Sequence, residues 1–312
     1  MDWFYAIGKG IVQGATEFIP ISSSAHLVLF RVISDLLGHT PPNPFVDEFF
    51  DIMLHIGTLL AVLVYFRAEI SRFLVAIWQK TPTVKDDNGT TWQTRPLFYS
   101  GIVAFMTTSF IALGGLKGSE WLFARLQGIS LLKGVPDLTQ FYLVHPEFVA
   151  VNLLVTAFLL TFAEWLSARR ASTEGEEERV EEVVSLKQTQ AVAIGFAQAM
   201  AALFRGISRS GSTMSMGLMT GLTRQQAARF SFWLSIPIFA SAALYESLKL
   251  MSKAIPFETL PWGIILSGLL TSFVVGYLCI AWLLRILAQF PLTIFAYYCT
   301  ALGVFLLLYF SQ

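Results

Sequence analysis

At 312 residues, with 55% hydrophobic side chains, 13% charged ones and a mean hydropathy of +0.62, the chain excludes a soluble two-domain enzyme and reads as a polytopic membrane protein. Lysine plus arginine equals aspartate plus glutamate at 21 each, so the formal charge is zero and no basic field invites nucleic acid. The partner is lipid.

The first residues, MDWFYAIGKG, lack the basic region and small-residue cleavage site of a signal peptide and read as retained sequence. Trp3 to Thr16 is apolar but too short to cross a bilayer, which takes about 20 residues. It runs into Gln13 to His26, QGATEFIPISSSAH, where Pro20 breaks the helix and Ser22, Ser23 and Ser24 cap another that continues to Leu37. Two short helices meeting at a polar break predict a re-entrant hairpin over about 3–37, its turn buried in protein or lining a wet cavity. An ionisable side chain at bilayer depth costs about 2.5–3.5 kcal/mol, so Glu17 and His26 are candidate functional groups.

After the loop GHTPPN, the first full span is predicted at about 49–66, with Asp51 and His55 near its start and Arg67 closing it. A polar loop follows within Arg72 to Arg95, then a span at about 96–116 and a long connection from Lys117 to Glu147. The connection's apolar pieces, Trp121 to Leu126 and Leu138 to Val144, are too short to cross and are predicted to lie in the interface. A span at about 148–166 completes a first repeat over 1–168, and 169–187, with its EGEEERVEE run, is a solvated charged linker.

The order then recurs over 188–312: a short helix from Gln188 to Leu203, a polar break at Arg205 to Ser212, a helix from Thr213 to Leu222, and spans at about 230–248, 261–284 and 291–309. The second hairpin covers about 188–222. An odd number of spans per copy inverts the second relative to the first, so the predicted fold is all-α, polytopic and built of inverted-topology repeats, each a re-entrant hairpin plus three transmembrane helices. Gln13 precedes the Ser22-Ser23-Ser24 turn by nine residues and Gln198 precedes Ser208-Arg209-Ser210 by ten. Basic residues of 67–95, 169–187, 224–229 and Arg285 outnumber those on the other face, which places the linker in the cytoplasm and the mouth of the first hairpin outside.

The second break, FRGISRSGST, holds two arginines, four hydroxyls and two glycines. A helix starting after it turns free N–H groups and a positive dipole end toward the break, Gly206 and Gly211 permit close backbone approach, and Arg209 supplies a bidentate fork. Phosphate is the ligand that suits this combination, and a second donor-rich terminus at Ser22 to Ser24 suits two linked phosphates. Glu17 and Arg209 are expected to meet near the midplane. Glu17 and His26 can serve as metal ligand, general base or general acid, or as a structural ion pair and a core hydrogen bond. His55, Asp51 and Glu164 read as structural, as do Cys279 and Cys299, which fall within apolar helices.

On Gln13-Gly14-Ala15-Thr16-Glu17 with Pro20, Ser22, Ser23 and His26, and on Gly206-Ile207-Ser208-Arg209-Ser210-Gly211-Ser212-Thr213, the sequence resembles the undecaprenyl-pyrophosphate phosphatases, the bacitracin-resistance membrane enzymes that recycle the cell-wall lipid carrier. HIGTLLAVLVYFR at 55–67 and AARFSFWLSIP at 227–237 extend the likeness over most of the chain. The resemblance implies a bacterial inner-membrane protein, often a homodimer, that hydrolyses a C55 isoprenyl diphosphate to the monophosphate at a site facing the periplasm. It implies a divalent cation, Mg²⁺ or Ca²⁺, held by Glu17 and Gln13. Ser23 and His26 would serve nucleophilic or proton-transfer roles. Arg209 would bind phosphate, supported by Ser22, Ser24, Ser208, Ser210, Gly211 and Thr213. The family pattern has proline where this chain has Arg205, which would add a phosphate contact or change head-group preference, and residues 127–147 look like an insertion. A carrier or flippase for the phosphorylated lipid is the alternative from a different class, but a carrier needs no hydroxyl nucleophile beside an acid and an imidazole.

Overall fold

The computed structural model describes residues 2–39, 44–125, 141–142, 145–173, 183–251 and 260–310. It is nearly all helical: α1 (Trp3–Thr16), α2 (Ser23–Leu36), α3 (Pro44–Tyr65), α4 (Arg67–Trp78), α5 (Thr94–Arg125), α6 (Pro146–Thr173), α7 (Gln188–Leu203), α8 (Arg209–Met219), α9 (Arg224–Met251), α10 (Trp262–Gln289) and α11 (Thr293–Phe310). Among the described residues, five helices (α5, α6, α9, α10 and α11) are long and apolar enough to cross a membrane, and a sixth crossing arises if α3 and α4 are taken together. The chain is a multi-pass membrane protein.

Three connections differ from expectation. The span expected to close at Arg67 does end at Tyr65, but the chain bends by 68° there and continues as a further helix, α4. Part of the expected polar loop forms a small sheet in which β1 (Thr83–Lys85) pairs antiparallel with β2 (Thr91–Gln93), and β2 pairs parallel with β3 (Val183–Val184) from the charged linker. Buried Arg229 ties this sheet to α4 through Glu69 and reaches Asp86 at 3.5 Å, while Asp86 also accepts from Trp92 Nε1 at 3.0 Å. The expected connection from Lys117 begins as a continuation of α5 to Arg125; Leu138 to Val144 and linker residues 174–182 lie largely or wholly outside the described residues.

Two helical hairpins organise the rest. Asp2, which caps α1, accepts from His39 just beyond α2 at 2.6 Å, closing the open end of the first. Gln190 on α7 donates to the Thr220 carbonyl at the end of α8 at 2.8 Å, closing the second. These ends lie at opposite ends of α10. Trp3 packs near Gly263 at its start, whereas just past its far end the Leu292 N–H donates to Glu164, which also pairs with Arg224 at the start of α9. A helix of this length is about 42 Å long.

Each hairpin leans on the other half of the chain. A Cβ on Gly10 of α1 would stand 2.7 Å from the Gly268 carbonyl of α10, and a Cβ on Gly195 of α7 would stand 2.5 Å from the Ala104 carbonyl of α5. Only glycine lets these backbones approach, as small residues do in membrane helix packing. The hydroxyls answer in kind: Ser272, four residues past Gly268, donates to the Leu54 carbonyl at 3.1 Å, and Thr108, four past Ala104, donates to the Gly195 carbonyl at 3.0 Å. Around the tips, Phe18, Phe66 and Phe232 form a buried aromatic core.

Candidate active site

The hairpin tips meet end to end. Ser24 Oγ accepts from the Gly206 N–H at 3.0 Å, and Ser210 Oγ donates to the Ile19 carbonyl at 3.2 Å. Gly206 is required there twice over: its φ is +102°, and any Cβ would run into the Val149 carbonyl. Ser22 holds a left-handed φ of 70° without being glycine, a conformation costing about 1–3 kcal/mol and maintained by bonds on both sides. Its Oγ caps α2 on the Ala25 N–H at 3.3 Å, and its carbonyl accepts from His26 Nδ1 at 2.8 Å.

Glu17, buried at the C-terminal cap of α1, is the centre. Its Oε1 accepts from Arg209 at 3.0 Å. Its Oε2 accepts from Ser23 Oγ and from Gln13 Nε2, each at 2.9 Å. The acid and base expected to meet across the two halves therefore do meet, and Ser23 rather than its neighbours is the serine that donates to the carboxylate. Arg209 also lies over the Phe239 ring at 4.7 Å and reaches the Ser231 carbonyl at 3.5 Å, while its Nε is buried without a partner. Buried pairing of this kind holds only when further bonds satisfy both ions, and here they do so on the Glu17 side and leave a guanidinium N–H over.

The helix of the second tip starts earlier than expected, at Arg209 instead of Thr213. Ser208 is its N-cap, accepting from the Gly211 N–H at 3.0 Å, so Arg209, Ser210 and Gly211 form the first turn, whose amides an α-helix leaves without carbonyl partners. Thr213 turns its hydroxyl inward to Ser231 Oγ at 2.6 Å and to the Arg209 and Ser210 carbonyls, which supports the turn from behind. The last helix of each half holds the opposite tip. On α6, Asn152 donates to the Arg205 carbonyl at 2.7 Å and Thr156 accepts from the Ser208 N–H at 2.9 Å; on α11, Tyr298 lies 2.6 Å from His26 Nε2, its ring stacked on the imidazole.

His26 thus has both ring nitrogens engaged, by Ser22 and Tyr298, and the structure brings it to neither Glu17 nor Ser23. Arg205 is half-buried, and its guanidinium makes no ion pair among the described residues. Sequence reading missed Asn152, Thr156, Ser231 and Tyr298, which are ordinary polar residues in spans, and Phe239, which looks like any core aromatic. It also set aside His55, whose Nε2 stands 4.0 Å from Glu17 Oε2 and whose ring meets Phe239 edge-on. Asp51 and Glu164 do take structural roles, pairing with Lys9 at 2.6 Å and with Arg224 at 2.7 Å. Cys299 is buried and Cys279 half-buried.

Residues 6–305 match the family model described as bacitracin resistance protein BacA. Among curated relatives, the chain is 34% identical over 312 residues to an undecaprenyl-diphosphatase of Thioalkalivibrio sulfidiphilus, covering 99% of this chain and 100% of the relative. It is 34% identical over 311 residues to the undecaprenyl-diphosphatase of Nitrosococcus oceani, covering 100% of each chain. With that of Colwellia psychrerythraea the identity is 37% over 299 residues, 95% of each chain.

Proposed function

The chain belongs to the BacA bacitracin-resistance family, and from that premise we infer that it is an integral membrane phosphatase that hydrolyses undecaprenyl diphosphate to undecaprenyl phosphate and inorganic phosphate. The observation that carries the reading is the division of Glu17 between Ser23 on one oxygen and Arg209 on the other, at the junction of the two tips. A flippase is not favoured, because it has no use for a hydroxyl hydrogen-bonded to a buried carboxylate beside a phosphate clamp. The reciprocal packing of α1 on α10 and of α7 on α5 supports inverted repeats over 1–168 and 188–312, with each hairpin re-entrant from its own side of the membrane.

In this mechanism Arg209 and the first-turn amides of α8 that the Ser208 cap leaves open take the terminal phosphate, with Ser22, Ser24 and Ser208 as further donors and Arg205 reaching the substrate from the rim, while Ser210, bonded to the Ile19 carbonyl, and Gly211, bonded to Ser208, shape the turn. Ser23 Oγ attacks the terminal phosphorus as its proton passes to Glu17 Oε2. The bond from phosphorus to the bridging oxygen breaks, and the prenyl monophosphate leaves with that proton. Water then attacks the phosphoserine; Glu17 takes the water's proton and returns it to Ser23 Oγ as the serine–phosphorus bond breaks. His26, held through Ser22 and Tyr298, keeps the strained turn in the shape that aims Ser23.

The donor set also fits a divalent cation, because Gln13 Oε1 is buried with no partner one helical turn from the Glu17 carboxylate. Mg²⁺ or Ca²⁺ held by Glu17 and Gln13 would neutralise charge on the diphosphate oxygens. The basic-residue balance supports a site opening outward from the bacterial inner membrane, and the family likeness supports a homodimer. The test is phosphate release from a long-chain prenyl diphosphate by the purified protein, with and without Mg²⁺. Metal-stimulated release is expected; no release, together with movement of the intact lipid across liposomes, would favour the flippase.

A further inference from the structure

Among the described residues, His55 on α3 turns its Nε2 toward the reactive oxygen of Glu17, and its chemistry is fixed by its other nitrogen. Nδ1 lies 2.8 Å from the Asp51 carbonyl, which only accepts, so the neutral ring carries its proton on Nδ1 and a lone pair on Nε2. That lone pair faces Glu17 Oε2 across 4.0 Å. Two acceptors this far apart share no proton, but the gap is about twice a metal–ligand bond of roughly 2.0–2.2 Å. A backbone carbonyl on the far nitrogen is also the usual outer partner of a metal-bound histidine, because it sets both tautomer and ring orientation.

The surroundings agree. Gln13 Oε1, the third donor of the set, is buried and unpartnered, and half a turn of its amide exchanges it with the nitrogen now pointing at Glu17 Oε2. The Phe239 ring packs edge-on against the imidazole at 5.9 Å and so limits its rotation. The Asp51 carboxylate, already paired with Lys9, does not compete for a cation. Nor is His26 a rival, since Tyr298 and Ser22 hold both of its nitrogens. Among the described residues no cluster of three or more His, Cys, Asp or Glu side chains gathers to hold a metal, so the donors are one carboxylate, one imidazole and one amide.

We propose that His55 Nε2 is a protein ligand, with Glu17 and Gln13, to the divalent cation of the active site, an inference that rests on the metal-assisted reading above. An imidazole in the set makes the site a better host for first-row transition ions than for Ca²⁺, which takes oxygen ligands, and Mn²⁺, which shares the oxygen preference of Mg²⁺, is the spectroscopic probe for it.

The test is electron spin-echo envelope modulation of Mn²⁺ bound to the purified full-length protein with methylenediphosphonate, which balances the charge of Arg209. Imidazole ¹⁴N modulation is expected in the wild type. It should vanish in His55→Phe, which keeps a ring against Phe239, and in His55→Gln, which offers oxygen instead. Mn²⁺ affinity should fall at least about tenfold in His55→Phe, the lower end of what loss of an outer-shell partner alone costs. Wild-type Mn²⁺ binding without nitrogen modulation, or modulation that survives both substitutions, overturns the assignment of His55 and leaves the phosphatase reading intact. Failure of the wild type to bind Mn²⁺ at all overturns the metal-assisted reading and this inference together.

Discussion

The two hairpin tips are built alike and equipped differently. Aligning Gln13 with Gln198 puts Gly10 on Gly195, and both glycines seat their helices against a span of the opposite half. Four residues on from each glutamine, the first tip has Glu17 and the second Ala202; at the centre of the matching triplets, the first has Ser23 and the second Arg209. Gln13 accordingly spends its amide on Glu17, whereas Gln198 donates to Thr108 at 3.1 Å and stays part of the packing. On the mechanism proposed above, the first tip is the one that accepts protons and the second the one that donates hydrogen bonds to an anion. Bond making needs the first and orientation needs the second, so their separation on two elements lets each be tuned by its own neighbours.

Substitutions can break that division, the most severe first. Ser23→Ala should abolish turnover, losing more than about a thousandfold, because no other described hydroxyl donates to Glu17; a folded variant that keeps more than that would move the attack to water. Glu17→Gln should cost about 10²–10⁴-fold in kcat, since an amide takes no proton at neutral pH, and should also remove the Mg²⁺ dependence. If that dependence is unchanged, Glu17 serves only to pair Arg209. Arg209→Lys keeps the charge but not the planar fork and should cost about 10²–10³-fold, read as kcat/KM on the prenyl diphosphate. Near-normal values would place the phosphate elsewhere.

Milder changes sharpen the comparison. Tyr298→Phe retains the ring stacked on His26 but removes the hydroxyl, and a loss of up to about tenfold in kcat with KM unchanged is expected, in keeping with about 1 kcal/mol for one hydrogen bond. Loss as large as that of Ser23→Ala would make His26 a direct participant. The smallest effect belongs to Asn88→Cys in the turn between β1 and β2. It should leave activity unchanged and resist an impermeant thiol reagent in intact cells, since the sheet sits with the basic face; rapid labelling would reverse the orientation and the outward-opening site with it.

The polar breaks were legible because charge and hydroxyls inside apolar sequence are costly and so conspicuous, and Glu17 with Arg209 followed from that alone. The spans after residue 94 were equally plain from their length. Arg67 marked the end of α3 correctly, but the helix beyond it was not legible, because α4 carries charge among its apolar residues and takes its place from packing on the sheet. The start of α8 was misplaced because serine and glycine are weak helix formers, and a capped first turn made of them looks like a loop. His55 was passed over because its meaning lies in where α3 meets α1, 38 residues away in sequence, and no local spacing encodes that.

The exchange of support between halves has a practical side. A protein made of two independent domains can lose one and keep the other; here α1 finds its seat on α10, α7 finds its seat on α5, and each tip is braced by the last helix of the opposite half. A half-length polypeptide would expose the glycine-lined grooves meant for its partner. Two such polypeptides made in the same cell, severed between Thr173 and Val183, would carry all the surfaces needed to find each other, with β3 docking on β2 as the last stitch. Each half therefore depends on the other for the surfaces that seat its hairpin.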